Sequence, residues 1–307
     1  ALLLSNSSTF SVRLPRYAEN VVCVGTHSTL ESVREAIVQE QSGAYLRFGD
    51  GDITAAYHGV DEMQTPNKNL SREIQAALGM QGEHVFKALM ISSPMFDCLE
   101  KQMTPGNHQV SNKEALAMVE MAYPFWRPLP IRFVYSNCAL AHAASAYESI
   151  ALDFLETLRA TKPFMFIGNE HVDSDLLEIL FGPQCLHVTV PSSNAYSSID
   201  SIEREARALL SRSDPSSFKT IVLAMGVSTS ALQYRLRDIE NLFQFDFGSL
   251  LDALEKWRTR GKTHNISPPA WIKISGFDAT AFLNVFCERI GSINATCERY
   301  INNLADP

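Results

Sequence analysis

The sequence predicts an α/β fold with a largely parallel sheet that helices flank. Short apolar runs typical of strands alternate along the chain with longer segments that have helical periodicity. Several of the short runs are apolar at consecutive positions, which is typical of strands covered on both faces. The alternation and its spacing therefore favour strands joined by helical crossovers.

Eight short runs are the predicted strands of this sheet. They are residues 20–25, 44–48, 85–92, 131–136, 163–168, 185–190, 219–225 and 242–247. Helical patterns occupy most of the intervening chain. The predicted helices are residues 28–41, 70–80, 112–122, 139–160, 173–181, 197–211, 228–239 and 249–260. A last helical region, 278–303, is expected to bend near Gly291.

The chain is expected to form a single domain. Its 307 residues would suit one large domain or two ordinary ones. No internal repeat, low-complexity tract or clear linker divides the sequence. We expect an α/β core over about 20–262 and a C-terminal helical region over 263–307.

The charge and hydropathy of the chain exclude some functions. Lys and Arg number 26 against 34 Asp and Glu, a formal charge of −8, which disfavours nucleic acid as the main partner. No segment has the roughly 20 mostly apolar residues that a membrane span requires. We therefore expect a cytoplasmic protein without a membrane span, and a homo-oligomer is left open.

The cysteines show no pattern of a metal site or a redox motif. The six cysteines are Cys23, Cys98, Cys138, Cys185, Cys287 and Cys297. None forms a C-x-x-C pair or a Cys/His cluster with zinc spacing. The sequence therefore predicts buried, reduced thiols.

The most distinctive segment follows the strand 44–48. Ligands of parallel sheets bind beyond the carboxyl ends of the strands, and here the sequence Arg-Phe-Gly-Asp-Gly-Asp ends the strand. Gly49 and Gly51 would let the backbone turn sharply beside a ligand. Asp50 and Asp52 could share one hard cation, and the arginine of the segment, Arg47, could meet a phosphate. The alternative is an ordinary turn with solvated aspartates.

A second polar segment, Gly-Asn-Glu-His-Val-Asp, follows the strand 163–168. Glu170 or His171 could act as a base in this segment. Asp173 could cap the next helix. Capping and ordinary loop polarity are the alternative to a catalytic role.

Two further segments have the features of a nucleotide site. Asn194 lies in Pro-Ser-Ser-Asn-Ala-Tyr, which could hold a base, ribose or phosphate. Gly226, Ser228 and Thr229 precede or open a predicted helix, whose N-terminus would suit a phosphate. Helix capping alone would explain both segments. Asp246 ends the neighbouring predicted strand at the same rim.

The order of these segments resembles the bacterial GT-D-type glycosyltransferases, the third glycosyltransferase fold beside GT-A and GT-B. The resemblance spans about 44–258, and the Arg-Phe-Gly-Asp-Gly block is its most specific part. It implies a Rossmann-like α/β domain, a nucleotide-sugar donor and an Asp-x-Glu pair near the metal and the diphosphate. Here that pair falls on Asp50 and Asp52, so the second acid is one methylene shorter than the family's Glu.

Other family segments are only partly present. The family's Pro-x-x-Asn-Ala segment falls on Pro191, Asn194 and Ala195. Its Leu-Gly-Pro-Thr-Ala segment falls on 225–229 without the proline. Its Asp-x-Gly-His segment begins at Asp246 and has serine in place of histidine. These departures imply a distant branch with its own donor or acceptor.

The resemblance implies a glycosyltransferase that moves a sugar from a nucleotide-sugar donor, expected to be a UDP-sugar, to a glycan or glycoprotein acceptor. Arg47, a Mn²⁺ or Mg²⁺ ion at Asp50 and Asp52, and the Gly226 turn could offset the charge of the leaving diphosphate. Inverting transfer is favoured and needs a base. The candidates for the base are Asp52, Asp246, Glu170 and His171.

Two other functions remain open from the sequence. Gly-Val-Ser-Thr-Ser after a strand resembles the nucleophile elbow of α/β-hydrolases, and Ser228 is followed by Asp246 and His264 in the triad order, although the last glycine is replaced by serine. A non-catalytic module that binds a nucleotide sugar or a glycan is the third interpretation. A dinucleotide oxidoreductase is disfavoured, because no Gly-x-Gly-x-x-Gly follows a predicted strand.

Overall fold

The computed structural model describes residues 12–13, 22–56, 64–89, 109–110, 133–136, 139–255, 276–291 and 295–305. The strands in these ranges are β1 (Val12–Arg13), β2 (Val22–Val24), β3 (Gly43–Phe48), β4 (Val85–Leu89), β5 (Gln109–Val110), β6 (Phe133–Ser136), β7 (Met165–Asn169), β8 (Leu186–Val190), β9 (Lys219–Ala224) and β10 (Leu242–Asp246). Strands β1 and β5 form a separate antiparallel pair.

The other eight strands form one parallel sheet in the order β2-β6-β4-β3-β10-β9-β7-β8. Each of the eight predicted strands contributes one of them, and the predicted fold class is confirmed. The central strand β10 is buried at every position, because helices cover both faces of the sheet. This double coverage explains the continuous apolar runs of the sequence.

The α-helices of the described residues lie between the strands and after the sheet. They are α1 (Thr26–Val38), α2 (Asp50–Ala56), α3 (Lys68–Leu78), α4 (Ala139–Ala146), α5 (Glu148–Ala160), α6 (Ser174–Phe181), α7 (Ile199–Ser211), α8 (Ser228–Arg235), α9 (Leu250–Leu254), α10 (Ala279–Arg289) and α11 (Ala295–Ala305). No helix of the described ranges combines the length and the apolar character that crossing a membrane requires.

The predicted helix 139–160 is in fact two helices. Tyr147, at φ −141° and ψ 55°, leaves the helical conformation and separates α4 from α5. Its ring packs edge-on against His142, with 5.6 Å between the ring centroids. The predicted helix 112–122 lies outside the described residues.

The described part of the C-terminal region contains a disulfide bond that the sequence did not predict. Cys287 of α10 is bonded to Cys297 of α11, so the prediction of reduced thiols is wrong for these two residues. Their separation in sequence resembles no redox or metal motif, and the packing of α11 against α10 brings them together. Cys185 is a free thiol whose pKa burial raises to about 12. Disulfides are rare in a reducing cytosol. The bond therefore does not support the predicted cytoplasmic location, which stays a prediction.

The sheet topology places a switch point at the adjacent strands β3 and β10. Strands β2, β3, β4 and β6 come from the first part of the chain, and β7 to β10 come from the second. The two groups meet where β3 lies beside β10, with Phe245 paired to Tyr45. On one side of this boundary the chain runs from β3 to β4. On the other side it runs from β9 to β10. In open α/β sheets, ligands bind at such a switch point beyond the carboxyl ends of the strands.

Candidate active site at the carboxyl edge of the sheet

The switch point brings together the arginine of the first predicted segment and the acid that ends β10. Nη1 of Arg47 lies 3.4 Å from Oδ1 of Asp246. Both side chains are largely buried, at 17% and 8% exposure. Burial raises the pKa of Asp246, and the Arg47 guanidinium opposes that rise. The pair therefore places one cation and one carboxylate in a largely dehydrated cleft. The low dielectric constant there strengthens the interactions of both charges with neighbouring charged groups.

Gly248 makes this pairing sterically feasible. Its backbone N–H donates to Oδ1 of Asp246 at 3.0 Å, and its φ is +66°. A Cβ atom at Gly248 would lie 1.9 Å from Nη1 of Arg47. The turn after β10 thus requires glycine both for its backbone angle and for the space that the guanidinium occupies.

Replacing Gly248 by alanine is expected to destabilise the fold by about 3 kcal/mol, since it adds steric displacement of Arg47 to the cost of a positive φ. The matched control is Gly276→Ala, because Gly276 also has a positive φ, +68°, but no atom of the described residues lies within 4 Å of the position that its Cβ would take. The control should cost only about 1 kcal/mol. Urea unfolding of both variants measures the difference. Equal losses would mean that Arg47 does not occupy the space beside Gly248.

Asp52 is the third charged group of the cleft. Its Oδ2 accepts the backbone N–H of Gly49 at 3.1 Å, and its Oδ1 accepts the hydroxyl of Ser230 at 3.2 Å. Burial and then the negative charge of Asp246 raise the pKa of Asp52 to about 7. Near neutral pH this carboxyl is therefore divided between its charged and neutral forms, a condition that suits a group that exchanges protons.

Ser230 stabilises the charged form of Asp52. Its hydroxyl is fully buried and donates to the carboxylate, an interaction that lowers the pKa of Asp52. Replacing Ser230 by alanine should therefore raise the pKa of Asp52 further. The measurement is the carboxyl ¹³C titration of Asp52.

The control for this prediction is Ser228→Ala, whose hydroxyl faces Gln64 rather than Asp52. The control should leave the titration midpoint of Asp52 where it is in the wild type. A midpoint that the Ser230 substitution does not move would contradict the assigned contact.

The turn after β9 leads into α8 beside this cleft. Gly226 has φ +58°, and among the described residues no atom lies within 4 Å of the position that a Cβ would take there. The Thr229 hydroxyl oxygen accepts the backbone N–H of Met225 at 3.0 Å. The Ser228 hydroxyl donates to Oε1 of Gln64 over 3.5 Å. The sequence predicted that the Ser228 and Thr229 hydroxyls bind a phosphate. In the structure both hydroxyls instead make hydrogen bonds that fix the shape of this turn.

This arrangement does not favour the hydrolase alternative. A nucleophile elbow exposes its serine Oγ above the sheet, whereas Ser228 is 1% exposed. The histidine of the proposed triad, His264, lies outside the described residues.

Gln64 is a site residue that the sequence analysis missed. Its Oε1 accepts the backbone N–H of Tyr196 at 3.2 Å. In return, Oδ1 of Asn194 accepts the backbone N–H of Thr65 at 2.8 Å. This reciprocal pair joins the loop before α3 to the loop after β8. Asn194 has a positive φ of 51°, which asparagine tolerates better than most residues. No motif marks Gln64, because its partners are distant in sequence.

Replacing Gln64 by leucine should destabilise the fold by about 2 kcal/mol, because the buried N–H of Tyr196 would lose its acceptor. Urea unfolding measures the loss, and faster hydrogen exchange at Tyr196 would locate it. Gln81→Leu is the matched control, since Gln81 is exposed and bonds the nearby Gly79 carbonyl. Equal stability of the two variants would contradict a joining role for Gln64.

The structure keeps two predicted base candidates apart from the cleft. Glu170 and His171 follow β7, which is separated from β10 by β9, or about 10 Å across the sheet. Their side chains are about half exposed and face each other, with 3.7 Å between His171 Nε2 and Glu170 Oε1. Asp173 caps α6 by accepting the Asp175 N–H at 2.9 Å, as one of the sequence alternatives predicted.

Two carboxyl groups of the cleft have the kind of oxygen atoms that a divalent cation would require. Asp52 and Asp246 supply hard oxygen atoms, and their mutual repulsion is the kind that a cation relieves. Within the described ranges, no three His, Cys, Asp or Glu side chains are grouped as a metal site. Mg²⁺ is commonly held by one or two carboxylates together with substrate phosphates. Gly51 lies in α2 and Asp50 opens it, but the Asp50 side chain lies outside the described part of the structure.

Comparison with known proteins finds solved structures that have a similar fold. No protein-family model matches the chain, and no curated protein matches it. One similar solved structure is described as a new glycosyltransferase (DUF1792) from Streptococcus sanguinis. It has a TM-score of 0.55 and 15% identity, and the match covers 80% of this chain and 88% of that one.

A second similar structure is the domain of unknown function 1792, described as having a distinct glycosyltransferase fold. Its TM-score is 0.55 at 17% identity, and the match covers 81% of this chain and 85% of the other. The resemblance seen in the sequence is therefore confirmed at the level of the fold. The chain has the glycosyltransferase-like α/β fold of the DUF1792, or GT-D, domains.

Proposed function

We propose that this chain is a glycosyltransferase that uses a nucleotide-sugar donor, expected to be a UDP-sugar, and a glycan or glycoprotein acceptor. The observation that carries the proposal is the cluster of Arg47, Asp52 and Asp246 at the switch point of the sheet. The fold of the DUF1792 structures supports it. The alternative of a non-catalytic sugar-nucleotide module is disfavoured by a carboxyl whose pKa is about 7 in the cleft.

Arg47 would bind the diphosphate of the donor. A guanidinium presents several N–H donors in one plane and binds phosphate oxygens well. Asp246 holds Arg47 at the rim through the 3.4 Å contact and is itself held by the Gly248 N–H. The backbone N–H groups at the start of α8 would add partial positive charge. These groups favour the departure of a nucleoside diphosphate by stabilising its growing charge.

Asp52 would act as the base of an inverting transfer. The acceptor hydroxyl oxygen attacks C1 of the donor sugar while the bond from C1 to the diphosphate oxygen breaks. The electron pair of that bond leaves with the nucleoside diphosphate, and the hydroxyl proton passes to Asp52. A pKa of about 7 leaves Asp52 basic enough to take this proton at neutral pH.

A Mn²⁺ or Mg²⁺ ion would be held by Asp50 and Asp52 together with the donor diphosphate. When bound, the ion would supply further positive charge for the leaving group.

The proposal is tested by incubating the protein with UDP-, GDP-, dTDP- and CMP-sugars, each with Mn²⁺, Mg²⁺ or EDTA. We expect one donor class to raise the melting temperature and to release its nucleotide slowly. Loss of that release in EDTA would support the metal site at Asp50 and Asp52. No stabilisation and no release with any donor would exclude the transferase proposal.

A further inference from the structure

The disulfide bond joins two helices that cover one face of the sheet. Helix α11 packs against α6 and α10, and α10 packs against α9. Cys287 of α10 is bonded to Cys297 of α11, and both side chains are buried in the hydrophobic cluster on this face. None of the functions considered above uses this bond.

A hydrogen bond beside the disulfide connects α11 to α9. Tyr300 lies one helical turn after Cys297, so the two side chains share a face of α11. The Tyr300 side chain is fully buried, and its hydroxyl donates to the Leu254 carbonyl at 2.9 Å. Leu254 is the last residue of α9, at the helix end where carbonyls have no intrahelical partner. Tyr300 therefore stabilises the end of α9.

Helix α9 continues directly from the turn that follows Asp246. It begins at Leu250, two residues after Gly248, whose N–H donates to Oδ1 of Asp246. Leu250 and Leu254 are fully buried in the same hydrophobic cluster as Tyr300. Because α9 is only five residues long, tertiary packing rather than its own hydrogen bonds holds it in place. A displacement of α9 would therefore reach the turn after β10.

We propose that the Cys287–Cys297 bond is a redox-sensitive strap that holds α11 on α9 and thereby fixes the turn after β10. A dithiol would open the strap: two electrons and two protons pass from the dithiol to the two sulfur atoms, which become thiols, and the dithiol becomes a disulfide. Because both cysteines are buried, the dithiol reaches them during local openings of α11.

Loss of the bond would make those openings more frequent. A disulfide restricts the conformations that are open to the chain once it has unfolded, and reduction removes this restriction from the opened α11. The Tyr300 hydroxyl would then leave the Leu254 carbonyl more often, and α9 would loosen. This inference does not depend on the glycosyltransferase proposal, because it concerns the backbone of the cleft without a donor.

The test is amide hydrogen exchange of the wild type before and after reduction with dithiothreitol. We expect reduction to speed exchange in α11 by about 30-fold, the factor for a short loop that the bond no longer closes. The Gly248 amide should also exchange faster. The amides of α3 should not change, because α3 packs on the opposite face of the sheet. Alkylation and mass spectrometry establish whether Cys287 and Cys297 have become thiols.

The double variant Cys287→Ala, Cys297→Ala separates the strap from other effects of the reductant. It should exchange like the reduced wild type, both in α11 and at Gly248. Dithiothreitol should then change neither rate. A double variant that exchanges like the oxidised wild type would mean that packing alone holds α11.

Tyr300→Phe tests the link from α11 to α9 while the disulfide is intact. It removes the hydroxyl that bonds the Leu254 carbonyl, so the Gly248 amide should exchange faster while α11 stays protected. Arg299→Gln is the matched control, because it removes the ion pair of α11 with Asp175 of α6 instead. The control should leave exchange at Gly248 as it is in the wild type.

Three results would overturn the proposal. The first is that the native protein keeps its disulfide in dithiothreitol, or has free thiols without it. The second is faster exchange in α11 with no change at Gly248. The third is that α3 loosens as much as Gly248, in which case the bond stabilises the whole fold rather than the turn after β10.

Discussion

Replacing Arg47 by methionine is expected to abolish detectable binding of the nucleotide-sugar donor and to lower transfer by about 10³-fold. The guanidinium would no longer neutralise the diphosphate, and electrostatic groups of this kind commonly contribute about 10²–10³ in rate. The same substitution leaves Asp246 buried without its cation, which should raise the pKa of Asp246 and destabilise the fold. Donor titration calorimetry and urea unfolding measure the two effects.

The double variant Arg47→Met, Asp246→Asn separates binding from stability. Removing the carboxylate charge should restore most of the lost stability, because the carboxyl group that lost its cation is no longer charged. Donor binding should stay absent, because the phosphate partner is still missing. Recovered donor binding in the stabilised double variant would show that Arg47 supports the fold rather than the donor.

Replacing Asp52 by asparagine is expected to have opposite effects on transfer and on stability. Transfer should fall by about 10³-fold, because the amide cannot take the acceptor proton. The fold should become more stable by about 2 kcal/mol at pH 8, since a charged carboxylate is no longer held in the cleft. Such a gain is typical where a functional group is kept at the expense of stability.

The pH dependence of that gain follows from the raised pKa. In the folded protein the Asp52 pKa is about 7, against 3.8 for the ordinary group. Between these values the folded state binds more protons, so the stability that Asp52 contributes is present at low pH and is lost as the pH rises through 7. The Asp52→Asn variant lacks this loss, so its advantage should be absent near pH 4 and complete above pH 7. Urea unfolding at several pH values measures it.

Asp238→Asn is the control with the opposite sign. Arg207 lowers the pKa of Asp238, so this carboxylate contributes stability above its ordinary pKa. Its removal should slightly destabilise the fold at pH 8. If Asp52→Asn also destabilises the protein at pH 8, the cleft does not raise the pKa of Asp52.

Much of the fold was predictable because its strands are buried on both faces. Continuous apolar runs such as that of β10 have no solvent-facing positions, so they stand out in the sequence. The resemblance pointed to the same cleft as the sheet topology, since Arg47 and Asp246 both lie at strand ends beside the switch point.

The features that sequence analysis missed all depend on how separate elements of the chain pack together. Gln64 meets Tyr196 only after the two loops are folded together, and the need for glycine at Gly248 comes from the Arg47 guanidinium. Cys287 and Cys297 meet because α11 packs against α10. The pairing of Asp50 with Asp52 at a metal remains a prediction.

The most direct test of the central claim is calorimetric titration of the donor identified by the screen into the wild type and the Arg47→Met, Asp246→Asn variant at pH 7. The account predicts saturable binding to the wild type that is lost in the double variant while both proteins are folded. Equal affinity for the two proteins would contradict a donor site at the junction of β3 and β10.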